Sequence, residues 1–178
     1  MGHDAQPALS LDPRARAAQN RSMSTISIDQ VSEITRKSPK AKFNSRRRDV
    51  SAALGGEAGA RRPFEVQWVS IPTGASLCPY HAHSAEWEHY IFVSGEGRVR
   101  HARGMEKVHA GDHALFGPGE AHQISNESTE PLVYYVIANN VEGSDNCFYP
   151  DSGKWAMDFG DHSGIIRRTD ADYFDGEE

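Results

Sequence analysis

The chain has 178 residues and 38% hydrophobic content, which supports one domain with a core of ordinary size. Its charge is divided: residues 1–62 carry 12 Lys/Arg against 6 Asp/Glu, whereas the remainder carries 7 against 19, an acidic body that argues against a nucleic-acid surface. No run reaches the roughly 18–20 apolar residues of a membrane span and residues 1–22 lack a secretory apolar stretch, so a cytoplasmic protein is expected, with Cys78 and Cys147 as free thiols.

Residues 1–45 alternate Ser, Ala, Arg, Lys and Gln with few large apolar groups and predict a disordered or flexible arm, with Met23 as an alternative start. Within it, Ile28–Ile34 offers a short helix or a strand for a partner's sheet, and the arm is too poor in periodic apolar positions for a helix-turn-helix. The basic run Arg46-Arg47-Arg48 reads as solvated. It opens an extended lead-in over residues 46–63. From Phe64 the pattern is β. Strands are expected over 64–71, 88–93, 97–101, 106–109, 113–116, 122–126 and 132–138, each bounded by Gly- or Pro-containing turns such as Pro72-Thr73-Gly74 and Ser94-Gly95-Glu96-Gly97. Short strands at near-regular spacing, without a long helical pattern, read as an all-β barrel or jelly roll over 64–140, with 141–178 packing on it as a C-terminal extension.

The chemistry is concentrated in two segments: His81-x-His83-x4-Glu88-x6-Gly95, and Pro118-Gly119-x2-His122-x3-Asn126. On an extended strand alternate side chains share a face, so His81 and His83 project together. Glu88 and His122 add a carboxylate and a third imidazole, a donor set suited to a divalent metal. Four such donors close a tetrahedral Zn²⁺, but leave two positions open on octahedral Fe²⁺, Mn²⁺, Ni²⁺ or Co²⁺. If Glu88 faces inward, Tyr90 and Phe92 do too; if His122 does, so do Ile124 and Asn126. Tyr90 is therefore the polar group expected nearest the metal, able to orient a substrate or donate a proton. His89, His101, His109 and His113 are expected at the surface or behind the ligands, and Cys78 and Cys147 as packed thiols.

These two segments resemble the two-motif signature of the cupin superfamily, through Gly74, His81, His83, Glu88 and Gly95, then Gly111, Pro118, His122 and Asn126. Gly74 and Gly111 each lie one residue farther out than the pattern has them, and the inner glycine of the second motif directly follows its proline. The stretch Cys147–Trp155 and the tail Asp172–Glu178 are similar to the endings of small bacterial monocupins. The resemblance implies a double-stranded β-helix holding one metal on His81, His83, Glu88 and His122, and a homodimer with residues 46–62 or 165–174 at the interface. It names no substrate, because the superfamily hosts oxygenases, isomerases, lyases, decarboxylases and sensors. The expected function is a metal-dependent enzyme acting on a small organic molecule; the alternative is a non-catalytic binding or sensor module. Candidates for an Arg or Lys clamp are few, with Arg98 and Arg100 on the strand after Gly97, a shortage that disfavours a sugar phosphate.

Overall fold

A computed structural model describes residues 25–55, 62–140, 145–158 and 163–177, so the expected start of the arm, residues 1–24 with Met23, lies outside the described residues. The strands are β1 (Glu33–Lys37), β2 (Asn44–Asp49), β3 (Phe64–Ile71), β4 (Ala82–His83), β5 (Glu88–Ser94), β6 (Glu96–His101), β7 (Gly104–His109), β8 (His113–Phe116), β9 (His122–Ser125), β10 (Leu132–Asn139), β11 (Cys147–Tyr149), β12 (Lys154–Asp158) and β13 (Ser163–Arg167). One helical turn, α1 (Val50–Ala53), follows β2 and is capped by the Asp49 carboxylate, which accepts from the Ala52 N–H. No described helix is long and apolar enough to cross a membrane.

The strands form a six-stranded sheet in the order β1-β2-β3-β10-β5-β8, a four-stranded sheet β13-β12-β11-β4, and a three-stranded sheet β7-β6-β9. Alternation assigns the faces of the largest sheet. Opposite one another on its inner face stand Val69, Tyr134 and Phe92 in one row, Gln67, Val136 and Tyr90 in the next, and Glu65, Ala138 and Glu88 in a third. Tyr90, Phe92, Ile71, Leu132 and Tyr134 are buried there, and Val99, Val108 and Ile124 meet them from the three-stranded sheet. Between β5 and β6 the chain passes from one sheet to the other at Gly95, whose φ is +78°; a Cβ there would meet the Pro131 carbonyl oxygen at 2.4 Å. This is the expected all-β jelly-roll barrel, with Tyr90 and Phe92 facing inward as the alternation of β5 requires.

The arm and lead-in differ from expectation. Residues 33–37 and 44–49 form an antiparallel hairpin that extends the main sheet through β2–β3 pairing, Arg47 standing opposite Val69. Apolar alternation is weak here because cross-strand charge supports the pairing instead: Glu33 lies 3.9 Å from Arg46 and 3.3 Å from Arg48 on the outer face. Arg48 also donates to the Ile28 carbonyl at 2.7 Å and lies over the Trp68 ring. The basic run is thus a strand with two faces, and β2 has both of its backbone edges occupied within the chain.

Candidate metal centre

Sequence separation hides how the site is assembled. His81 and His122 exchange both backbone hydrogen bonds, at 3.1 and 2.8 Å, and this isolated bridge joins the loop before β4 to the start of β9. His83 follows on β4, opposite Cys147 of β11, and Glu88 begins β5 opposite Phe116. Four elements therefore bring the four side chains to one end of the barrel.

Glu88 Oε2 lies 2.9 Å from His122 Nε2, 3.4 Å from His83 Nε2 and 3.8 Å from His81 Nε2. Donor atoms bound about 2.1 Å from one centre would stand about 3.0 Å apart at right angles and about 3.4 Å apart at tetrahedral angles. The donors of His81, Glu88 and His122 all lie within 4.8 Å of one another. Those three donors suit a single ion, whereas His83 falls into groups with His81 and Cys147 and with Glu86 and Asp145, and its link to the three is the 3.4 Å approach to Glu88.

The other ring nitrogens point to the same conclusion. His81 Nδ1 lies 3.0 Å from the Pro79 carbonyl oxygen and His122 Nδ1 3.0 Å from that of Glu120. His83 Nδ1 lies 2.5 Å from Asp145 Oδ2. A carbonyl oxygen only accepts, so the protons of His81 and His122 belong on Nδ1 and their Nε2 lone pairs face the carboxylate. Burial, with the neighbouring His122, lowers the His81 pKa to about 4, so the ring is neutral near pH 7. A carboxylate facing ring lone pairs in a buried space is a setting suited to a cation.

Tyr90 is buried against this cluster. Its hydroxyl donates to Glu88 Oε2 at 3.0 Å and lies 3.1 Å from His122 Nε2. Phe116 stacks flat on the His122 ring at 4.2 Å between centroids and fixes its plane. Asn126 is buried on the inward phase expected of it, but its amide nitrogen donates to the Ile71 and Glu130 carbonyls and ties loops together rather than facing the site.

Asp145 is the residue that sequence reading missed. Besides His83 it accepts the backbone N–H of Ala85 at 2.8 Å and of Glu86 at 3.2 Å. It thereby fixes both the His83 ring and the turn leading to Glu88. A lone aspartate 62 residues from its histidine, beyond the last predicted barrel strand, carries no local signal. The histidines outside the motif stay outside the site: His89 pairs with His113 at 3.0 Å, His101 with Glu106, and His109 with Asp112. Cys78 lies 3.4 Å from His81 Nδ1, and burial pushes its thiol up to about 12. Cys147 is nearer the centre than expected, grouped with His81 and His83, but burial pushes it up to about 11, which disfavours the thiolate that binds metal.

A cavity of about 310 Å³ opens on His81, His83 and Glu88 and is walled by Val69, Leu77, Val136 and Tyr149. Arg98 and Arg100 do not reach it. Arg98 pairs with Glu127 at 2.6 Å, and Arg100 pairs with Asp151 while lying over the Tyr80 ring. Arg36 and Arg47 do line it, from the hairpin that sequence reading left in the arm and lead-in.

Residues 67–138 match the family model described as "Cupin domain". No curated protein sequence matches the chain. Among solved structures, a protein of Acidithiobacillus ferrooxidans provisionally described as a sugar phosphate isomerase is similar at 22% identity, with a TM-score of 0.69 over 82% of this chain and 93% of that one. A sugar phosphate isomerase from the cupin superfamily of Silicibacter pomeroyi is similar at 19% identity and TM-score 0.69, over 81% and 92%. A protein of Thermotoga maritima provisionally described as an oxalate decarboxylase is similar at 18% identity and TM-score 0.56, over 66% and 99%. At these identities the likeness is one of fold. Together with the matched family model and its two motifs, it identifies residues 67–138 as a cupin domain.

Proposed function

We propose that this protein is a metal-dependent enzyme acting on a small organic molecule, with His81, His83, Glu88 and His122 holding one divalent ion of Fe, Mn, Ni, Co or Zn. One observation carries the reading. Each of the three imidazoles is tied through Nδ1 to an acceptor, so three Nε2 atoms converge on Glu88 Oε2. An ion there would polarise a bound oxygen as a Lewis acid or, as iron, offer a place for O₂.

The chain's own residues supply the rest. Apolar walls exclude bulk water and strengthen electrostatic interactions inside. The Tyr90 hydroxyl, hydrogen-bonded to Glu88 and lining the cavity, is placed to orient a substrate oxygen or hand it a proton. Burial and the nearby Glu88 keep that hydroxyl protonated far above neutral pH, so it serves as a donor.

The test is metal content by elemental mass spectrometry on tag-free protein purified without oxygen, beside Glu88→Gln and His122→Ala. About one equivalent in the parent, lost in both variants, is expected. Iron would direct a substrate screen to oxygenase chemistry; zinc, nickel, cobalt or manganese would direct it to isomerase, lyase and decarboxylase chemistry. No metal in the parent, even after reconstitution, would overturn the reading.

A further inference from the structure

Arg46, Arg47 and Arg48 are consecutive on β2, and strand alternation gives them different surroundings. Arg46 and Arg48 face outward and meet Glu33, and Arg48 also meets Asp29 at 3.5 Å. Arg47 faces inward and lines the cavity. Arg36 of β1 lies on that same face, since its cross-strand partner is Ser45, two residues from Arg47. Among the described residues neither Arg36 nor Arg47 has a carboxylate within ion-pair reach. The side-chain contact of Arg47 is Nε donating to Ser45 Oγ at 3.4 Å, and Ser45 is fully buried. A half-buried guanidinium with most of its five N–H donors uncommitted is costly unless something else satisfies them.

The cavity is also polarised. Arg47 shares its row across the sheet with Val69, Tyr134 and Phe92, whereas Glu65 shares one with Ala138 and Glu88. The two rows are four residues apart along β3, about 13 Å of strand. Glu86, the other carboxylate lining the cavity outside the cluster, lies 3.5 Å from His83 Nδ1, at the metal end. The cavity wall nevertheless links the two ends, since Cys78 lines it with Arg47 and Cys78 Sγ is 3.4 Å from His81 Nδ1. Tyr134, in the Arg47 row, is fully buried, and its hydroxyl has no hydrogen-bond partner among the described residues.

We propose that Arg47, assisted by Arg36, binds an oxyanion, carboxylate or phosphoryl, on one end of the small molecule whose other end reaches the His/Glu cluster. A planar guanidinium matches either anion through two parallel N–H donors, where an ammonium would supply only a point charge. The ligand is thus a two-ended one, an oxygen donor at the metal and an anion at the arginines, small enough for about 310 Å³. The assignment rests on the cavity being the substrate site, but not on the identity of the metal.

The experiment is calorimetric titration of inorganic phosphate, and separately of succinate, into chelator-treated and metal-loaded protein. Parent, Arg47→Gln, Arg47→Lys, Arg36→Gln and Arg46→Gln are compared, with circular dichroism to establish folding. Binding to the chelator-treated parent is expected, weakened at least about tenfold in Arg47→Gln, as for loss of a charged hydrogen bond. A smaller loss is expected in Arg36→Gln, whose side chain is exposed, and none in Arg46→Gln on the outer face. Arg47→Lys should fall between parent and Arg47→Gln, and it carries the test if Arg47→Gln does not fold. The anion that binds more tightly identifies the source. Binding confined to metal-loaded protein and unchanged in the Arg47 variants would place the anion on the ion, overturning this proposal while leaving the metal reading intact. Absence of binding in every preparation would overturn it too. Arg47-dependent binding in a protein that takes up no metal would uphold the clamp and sink the metal reading.

Discussion

At one end of the cavity each imidazole of the cluster has an assigned partner on the ring nitrogen that faces away; at the other, Arg47 has a half-buried charge and one weak contact to Ser45. The difference matches the two ligands proposed for these ends. A metal ion tolerates little error in donor position, so the rings are fixed by Pro79, Asp145 and Glu120 before any ion arrives. An organic anion can be met by a flexible side chain, so a hairpin strand with one inward arginine is enough. The rigid end comes from three different sheets joined at the His81–His122 bridge, and the adaptable end from a single pair of adjacent strands.

The sharpest way to break this contrast is at Asp145. Replacing it by Asn keeps the size of the side chain but removes the charge that orients His83 and one acceptor for the turn N–H groups of Ala85 and Glu86. Metal affinity should fall about 10–100-fold, the usual cost of losing such a supporting carboxylate. Competition with a chelator of known affinity measures it. Phosphate binding to the metal-free protein should not change, because Arg47 lies at the other end. An unaltered metal affinity would mean that the His83 ring is held without Asp145.

Tyr90→Phe is a milder intervention at the same end. The ring packs edge-on against Tyr134 and Phe116, at 5.5 and 6.1 Å between centroids, and those contacts survive the substitution. The hydrogen bond to Glu88 Oε2 and the 3.1 Å contact with His122 Nε2 are what is lost. Metal affinity should change by about 1 kcal/mol, or about fivefold, the net worth of one hydrogen bond. Once a substrate is in hand, a kcat that falls well beyond the change in metal affinity would mark the hydroxyl as part of the chemistry, and a kcat that only follows metal content would leave it a packing group.

The barrel was legible because its strands obey period two under a dry face: Phe64–Ile71, Glu88–Ser94 and Leu132–Asn139 alternate well enough to be read directly. The same period placed Tyr90 and Phe92 inside. Arg36 and Arg47 were not legible, since charged strands have no apolar alternation, and their hairpin is held by Glu33 and by β3, neither of which announces itself locally. Arg98 and Arg100 lie on a strand with apolar positions, whereas Arg36 and Arg47 lie on a strand pair without them. Asp145 was hidden for a different reason, because its effect lies wholly in a contact across 62 residues of sequence.

The smallest expected effect lies on the far side of the hairpin and tests whether its two faces are independent. Glu33→Gln removes the carboxylate that Arg46 and Arg48 share, leaving Arg48 with Asp29, without touching the cavity. Partly exposed pairs of this kind contribute about 0.2–1 kcal/mol, so the thermal midpoint should fall by no more than about 2–4 °C for a chain of this size. Metal uptake should be unchanged, since β5 and β9 are remote from β1 in the sheet order. Phosphate binding is the informative readout. If it too is unchanged, β1–β2 backbone pairing alone positions Arg47. If it weakens, the outer ion pairs set the twist of the hairpin and hence the aim of the guanidinium, and charge on one face of β2 controls recognition on the other.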